Sequence, residues 1–315
     1  MTSLRWVKRM GSALVVLWLV HLVTFSLIRL VPGDAAELIA GDRATSEQVD
    51  AIRHSLGLDG SVVAQYFASL SQLLHGDLGI SLFSGLPVAE SIMIAAPATL
   101  SIAGLALLIA TVVGVSAGVV AGLKRGSLVD RLVTTAATLG LAMPSFWVGL
   151  VLATFFGLTY KLLPATGYSP LSEGVGPWLQ HIILPSLALG LAVAAEIARH
   201  TRGGVSDVMA RPYIRTARAR GASGTTLVRR HVLRNAAIPV VTVLGLQAGK
   251  LLSGTIVIES VFGIAGLGSL TVNAVLQRDY SVLQGFIILA ATVVVSVNLL
   301  VDVVYGKINP KVRVA

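Results

Sequence analysis

The chain has 315 residues, of which 55% are hydrophobic and only 12% charged, and its mean hydropathy is +0.83. A soluble protein of this size carries far more surface charge, so the composition defines a membrane protein. The formal net charge of +9 does not point to nucleic acid, because the basic residues recur in short segments between apolar runs, where they set orientation in a bilayer. With no cysteine, disulfides and thiolate sites are excluded.

Six apolar stretches suffice, or nearly so, to cross a hydrocarbon core that takes about 20 helical residues. They are 11–30, 99–123, 132–159, 182–198, 236–258 and 281–305, the fourth being the shortest. Arg5, Lys8 and Arg9 before the first imitate a secretory signal, but Arg29-Leu30-Val31-Pro32-Gly33-Asp34 follows where small cleavage-site residues belong. The first stretch is therefore read as a retained helix. The N-terminus, the loop with Lys124, Arg125 and Arg131, the arginine-rich loop 199–235 and the tail with Lys307, Lys311 and Arg313 alternate with more acidic segments. The positive-inside rule places these four segments, and both termini, in the cytoplasm.

Segment 31–98 then lies outside the cell membrane. In it Thr45-Ser46-Glu47-Gln48 can cap a helix carrying Val49, Ile52 and Leu56, stopped by Gly57. A second helix is expected over 62–74, with Val63, Phe67, Leu70 and Leu74 on one side. The expected division is residues 1–30 as tail and first span, 31–98 as a small extracytoplasmic helical cap, 99–305 as a five-helix core, and 306–315 as a cytoplasmic tail. Loop 161–180 is rich in Pro and Gly, hence turns. The glycines of Phe262-Gly263-Ile264-Ala265-Gly266-Leu267-Gly268 suggest a backbone that bends back, as a re-entrant segment would.

Within the spans, Gly114, Gly118 and Gly122 recur every four residues and give one helix face suited to close packing. Gly114-Val115-Ser116-Ala117-Gly118 also fits a serine-nucleophile pattern, but that chemistry needs a strand–turn–helix setting, so helix packing is the stronger reading. Gly245-x-x-x-Gly249-Lys250 lacks the spacing and the Ser/Thr of a phosphate loop and lies in an apolar helix, so it is not read as a nucleotide site. Lys250 is the one ionisable residue deep in a span, about 12 Å inside its outer end by helical rise. Either it lines a substrate route and attracts a carboxylate, or it snorkels, or it pairs with a neighbouring subunit. Glu259, Arg278 and Asp279 are gate or packing elements, with packing favoured for buried charge. Glu196 can pair along its own helix with Arg199 or His200. The six histidines show no ligand spacing, and no built-in metal site is expected.

The segment Tyr213-Ile214-Arg215-Thr216-Ala217-Arg218-Ala219-Arg220-Gly221 has its own pattern. Pro212 fits the first turn of a short helix and Gly221 its end. Arg211, Arg215 and Arg218 share one face; Tyr213, Ile214, Ala217 and Gly221 share the other. Such a helix can seat in the groove of a partner, or lie on anionic lipid.

This loop, with Gly221 followed nine residues later by His231-Val232-Leu233, resembles the EAA motif of type I ABC importer permeases. Arg215-Thr216-Ala217 occupies the triplet, with Arg215 in place of the acid, and Arg234 replaces the final proline. Further matches run the length of the chain, among them Arg29-Leu30-Val31-Pro32-Gly33-Asp34, Gly76-Asp77-Leu78-Gly79, Pro144-Ser145-Phe146-Trp147, Glu259-Ser260-Val261-Phe262, Arg278-Asp279-Tyr280 and Asn309-Pro310-Lys311. Together they resemble the B-type permease subunit of dipeptide, oligopeptide and nickel importers. The resemblance implies an all-α, multi-pass protein of the bacterial inner membrane with the type I ABC importer permease fold. It implies ATPase coupling through Tyr213, Arg215, Thr216, Ala217, Gly221, His231 and Leu233. The implied partners are a homologous second permease subunit, two ATPase subunits or domains that use ATP and magnesium, and an extracytoplasmic solute-binding protein. The chain itself is expected to bind no cofactor and catalyse nothing. A stand-alone secondary transporter would be expected to show inverted repeats or intramembrane acid relays, and neither is found.

Overall fold

The structure is a computed structural model that describes residues 2–30, 40, 44–55, 59–221, 224–228 and 232–308. Among these, helices account for every extended element. They are α1 (Thr2–Leu30), α2 (Ser46–Ser55), α3 (Val62–Leu74), α4 (Val88–Leu123), α5 (Leu128–Ala142), α6 (Ser145–Leu152), α7 (Val175–Met209), α8 (Pro212–Ala219), α9 (Leu233–Phe262), α10 (Leu267–Gln277) and α11 (Tyr280–Ile308). A π-helical stretch, Ala153–Thr159, continues α6, and Gly224–Leu227 forms one further turn.

Five helices are long and apolar enough to cross a membrane: Val7–Leu30, Val88–Leu123, Val175–Met209, Val240–Phe262 and Tyr280–Val304. A sixth crossing comes only from α5 and the α6 segment taken as a pair, bent by 97°. The expected uninterrupted span 132–159 is thus corrected to a broken one. Pro144 supplies no N–H to continue α5 and forces Met143 into an extended conformation, with φ −84° and ψ 124°. The short fourth stretch, 182–198, proves to be the middle of a 35-residue helix. Its ends carry His181, Arg199, His200 and Arg202, polar residues that a hydropathy window discards although a helix accommodates them. Likewise α4 begins at Val88 and runs through Pro97.

Local chemistry explains several helix starts. Thr45 and Gln48 form a reciprocal capping box: the Thr45 hydroxyl accepts from Gln48 N at 3.4 Å, and the Gln48 side chain accepts from Thr45 N at 2.9 Å. Ser61 caps α3 and Ser127 caps α5 through side-chain oxygens that accept from Ala64 N and Asp130 N.

The chain forms two compact units. Met1–Ala95 with Leu270–Val293 is the first. Its interior holds the rings of His21, Phe25 and Tyr66, with Phe25 and Tyr66 edge to face at 5.2 Å. The Gln284 amide lies 3.1 Å from His21 Nδ1 and 3.3 Å from Ser69 Oγ.

Ala96–Ser269 with Val294–Ala315 is the second unit, built around α7, which packs on α5, α6 and α9. Its core joins Ile102, Ala106 and Ala110 of α4, Ile182, Leu189 and Ile197 of α7, and Leu251, Ile258 and Phe262 of α9. The Gly114, Gly118 and Gly122 face of α4 lies directly on α7. A Cβ at these positions would stand 2.7 Å from Ala194 O, 2.5 Å from Ala198 O and 2.7 Å from Val205 Cβ. Only glycine admits that approach, which brings the two backbones together and maximises dispersion contact where lipid offers no hydrophobic drive. Ser116 sits inside this uninterrupted helix, and the strand–turn–helix that a nucleophile elbow requires is not there.

Candidate coupling surface and polar sites

The short helix α8 occupies 212–219. Pro212 sits in its first turn, where its missing N–H breaks no helical bond. Arg220 N bonds Thr216 O at 3.0 Å as the helix closes. Gly221 then adopts φ +83°, a left-handed conformation that suits glycine, and a Cβ there would meet nothing within 4 Å. The requirement for glycine at this position is backbone conformation, not space.

The apolar side of α8 is not free, as the sequence suggested. Ile214 is fully buried in a cluster with Val205 and Val208 from the end of α7, Leu227 and Val232, with Val119, Leu123 and Ala217 packed against it. Helical pattern reveals an apolar face but not what covers it. The exposed residues are Arg211, Pro212, Tyr213, Arg215, Thr216, Ala219, Arg220 and Gly221. Tyr213 and Gly221 therefore belong with the arginines, whereas Ala217 is half-buried on the Ile214 side. His231 lies outside the described residues, and Leu233 begins α9.

A polar latch stands beside this cluster. Asp130, in the first turn of α5 and almost fully buried, receives Arg202 of α7 on both carboxylate oxygens, with Nη2 at 2.9 Å from Oδ2. Gly126 N donates to Oδ2 at 2.8 Å, and Arg125 donates to Ser206 Oγ at 3.1 Å. A Cβ on Gly122 would stand 2.9 Å from Arg202 O. The ends of α4, α5 and α7 are thus joined to each other and, through Ile214, to α8. Asp130 and Arg202 carry no motif that marks them as partners in the sequence. The Ser127-x-x-Asp130 spacing is a signal that could have placed Asp130 in the first turn of a helix, but nothing local names its partner in α7.

Glu259 is completely buried near the end of α9. Thr99 donates to its Oε1 at 2.6 Å and Ser269 N to its Oε2 at 3.0 Å. Leu267 N in turn donates to Thr99 Oγ1 at 2.8 Å. Gly266 and Gly268 close round this carboxylate: a Cβ on Gly266 would lie 2.5 Å from Glu259 Cδ and one on Gly268 2.9 Å from Oε2. The expected bend-back is therefore a tight turn from α9 into α10, wrapped on Glu259. Asp279 is likewise buried, accepting from Ser81 Oγ at 2.6 Å and from Val282 N at 3.3 Å as α11 starts. Its neighbour Arg278 is exposed and holds φ +57°.

Lys250 is two-thirds exposed, and its Nζ lies 3.9 Å from Oε1 of Glu196 on α7. The partner expected for Glu196 on its own helix, Arg199 or His200, is thus replaced by a lysine on the neighbouring helix. Among the described residues, no group of three or more His, Asp or Glu side chains could hold a metal ion.

The structure thus presents a helical unit with membrane-length spans and a short, basic, exposed helix tied to them. The chain matches the family described as binding-protein-dependent transport system inner membrane component over residues 114–314, and the N-terminal region of the same transport-system membrane components over 3–103. It belongs to that family, as a B-type permease subunit of an ABC importer, a multi-pass inner-membrane protein.

Three relatives match nearly end to end. A protein of Sinorhizobium fredii described as a "probable peptide ABC transporter permease" is 38% identical, covering 97% of this chain and 98% of its own. The glutathione transport system permease of Escherichia coli K12 is 41% identical over 98% of both chains. The di/tripeptide transport system permease of Pseudomonas aeruginosa is 41% identical over 97% of both. In fold, the chain is similar to the MetNI methionine ABC transporter in an inward-facing form, with a TM-score of 0.57 at 16% identity over 69% of this chain and 96% of that one. An amino acid ABC transporter solved with histidines gives 0.51 at 16% identity, over 70% and 94%.

Proposed function

We propose that this chain translocates di- and oligopeptides across the inner membrane, delivered by an extracytoplasmic solute-binding protein and driven by ATP hydrolysed on partner subunits. The names of the full-length relatives carry the substrate class. The charge asymmetry supports an orientation with both termini and α8 in the cytoplasm. There α8 meets one of two ATPase subunits or domains, while segment 31–98 faces the binding protein. A homologous second permease subunit completes the pathway. The chain binds no cofactor; ATP and magnesium belong to the ATPases.

In this reading Tyr213, Arg215, Thr216 and Gly221 present the surface that the ATPase grips, and Ala217 helps seat the helix on its own chain. His231 and Leu233 continue the loop on its far side. Closure of the ATPase pair on nucleotide displaces α8. Because Ile214 is locked among Val205, Val208, Leu227 and Val232, α8 cannot slide alone. Its displacement is passed to the end of α7, and the Asp130–Arg202 latch passes it on to α5. Packed elements of this kind move as bodies between discrete arrangements.

Uptake of a labelled dipeptide in cells with and without the gene tests the reading. Loss on deletion, with rescue by the intact gene but not by Gly221→Val at equal membrane abundance, is expected. Unchanged dipeptide uptake on deletion, with loss of labelled nickel uptake instead, overturns the peptide assignment.

A further inference from the structure

Two opposite charges face each other on adjacent spans, Lys250 of α9 and Glu196 of α7. Lys250 lies roughly 15 Å from Val240 and roughly 18 Å from Phe262 by helical rise, close to the centre of its crossing. Glu196 of α7 faces it at 3.9 Å, with side-chain exposures of 67% for the lysine and 28% for the glutamate. A lysine stem of four methylenes does not reach either end of the span from that depth, so snorkelling does not account for it. Charges held this deep face water or protein, not lipid.

The surrounding surface agrees. Thr242, Leu246, Lys250, Ser253, Val257 and Ser260 form the exposed line of α9 at helical spacing, and four of the six are polar. One turn from Lys250, Gln247 buries an amide Nε2 with no partner among the described residues.

The pair is also loose. Charge-assisted N–H···O contacts close to about 2.7–2.9 Å, and at 3.9 Å this pair stands wider than that. What it does provide is electrical neutrality with two separable halves. A solute with one free ammonium and one free carboxylate can insert between them, the ammonium on Glu196 and the carboxylate on Lys250. The sum of charges is zero before and after, so no net charge is carried into a region of low dielectric constant.

We propose that Glu196 and Lys250 form a two-charge site in the translocation path that reads the free amino and carboxyl termini of a short zwitterionic peptide. This rests on the peptide-import reading above and adds to it a specificity element in the membrane chain, separate from that of the binding protein.

The test is uptake by cells carrying the complete transporter, with a labelled dipeptide, its N-acetyl form and its C-terminal amide, each at a concentration that saturates the binding protein. The binding protein is the same in every strain, so its own preferences cancel when variants are compared with wild type. Lys250→Met is expected to erase about tenfold of the penalty against the amide, the size of one lost charge-assisted contact, and to leave the penalty against the N-acetyl form in place. Glu196→Gln is expected to do the reverse, and Lys250→Arg to keep the wild-type ratios.

Variants that slow all three peptides by one common factor, or that keep every wild-type ratio, overturn the site while leaving peptide import intact. A wild-type transporter that moves no dipeptide overturns the import reading and the site with it.

Discussion

Arg202 of α7 grips Asp130 of α5 through two guanidinium nitrogens at once, the Nη2–Oδ2 contact measuring 2.9 Å. A planar fork on a planar carboxylate fixes orientation as well as distance, which a lysine cannot do. The bond joins the start of one broken span to the stretch of α7 that leads into α8.

Arg202→Lys keeps the charge and removes the fork. Uptake per transporter is expected to fall severalfold while membrane abundance stays within twofold, and ATP hydrolysis by the purified complex is expected to persist without matching transport. Wild-type uptake in this variant would show that the fork transmits nothing.

Ile214 and Arg215 are neighbours in sequence with opposite surroundings, one buried in the chain and one exposed. Ile214→Ala should lower stability by about 2–5 kcal/mol as a core cavity does. Arg215→Ala should stay within about 0.5 kcal/mol of wild type yet still reduce uptake, as the proposed ATPase contact requires. Thermal unfolding of the detergent-purified complex, paired with uptake, separates the two effects.

Gly118→Ala places a methyl 2.5 Å from Ala198 O, whereas Gly104→Ala, on the same helix, meets nothing within 4 Å. The first should cost about 1–3 kcal/mol through overpacking and lower the amount of protein in the membrane; the second should be neutral. Quantitative immunoblots of membrane fractions check both, and equal abundance would mean that α4 and α7 can part at no cost.

Thr99 both donates to Glu259 and accepts from Leu267 N. Thr99→Val is isosteric but removes one donor to the buried carboxylate and the acceptor that Leu267 N uses, at about 1–3 kcal/mol for a buried polar group that loses its bond. Glu259→Ala should be worse, since it also orphans Ser269 N and empties the space that Gly266 and Gly268 enclose. The midpoint of thermal unfolding should fall in that order; a Thr99→Val midpoint equal to wild type would remove the hydrogen-bonded turn as a source of stability.

What the sequence determined by itself is set by short-range physics. Composition and hydropathy gave a membrane protein and the approximate place of each crossing. Pro212 and Gly221 bounded α8, Thr45 and Gln48 announced a capping box, and the four-residue glycine repeat marked a packing face. Each of these depends on residues within one or two helical turns, whose geometry the chain alone dictates. The motifs along the chain also sufficed for the family.

Only the tertiary structure decided the rest. It showed that one crossing is broken at Pro144, because a hydropathy average does not register a missing N–H. It turned the apolar side of α8 inward, since a helical pattern defines a face without naming its neighbour. It also chose the partners of four charges: Arg202 for Asp130, Lys250 for Glu196, Thr99 for Glu259 and Ser81 for Asp279. Those contacts join residues far apart along the chain, and a buried charge takes whichever group the packing of whole helices brings within reach.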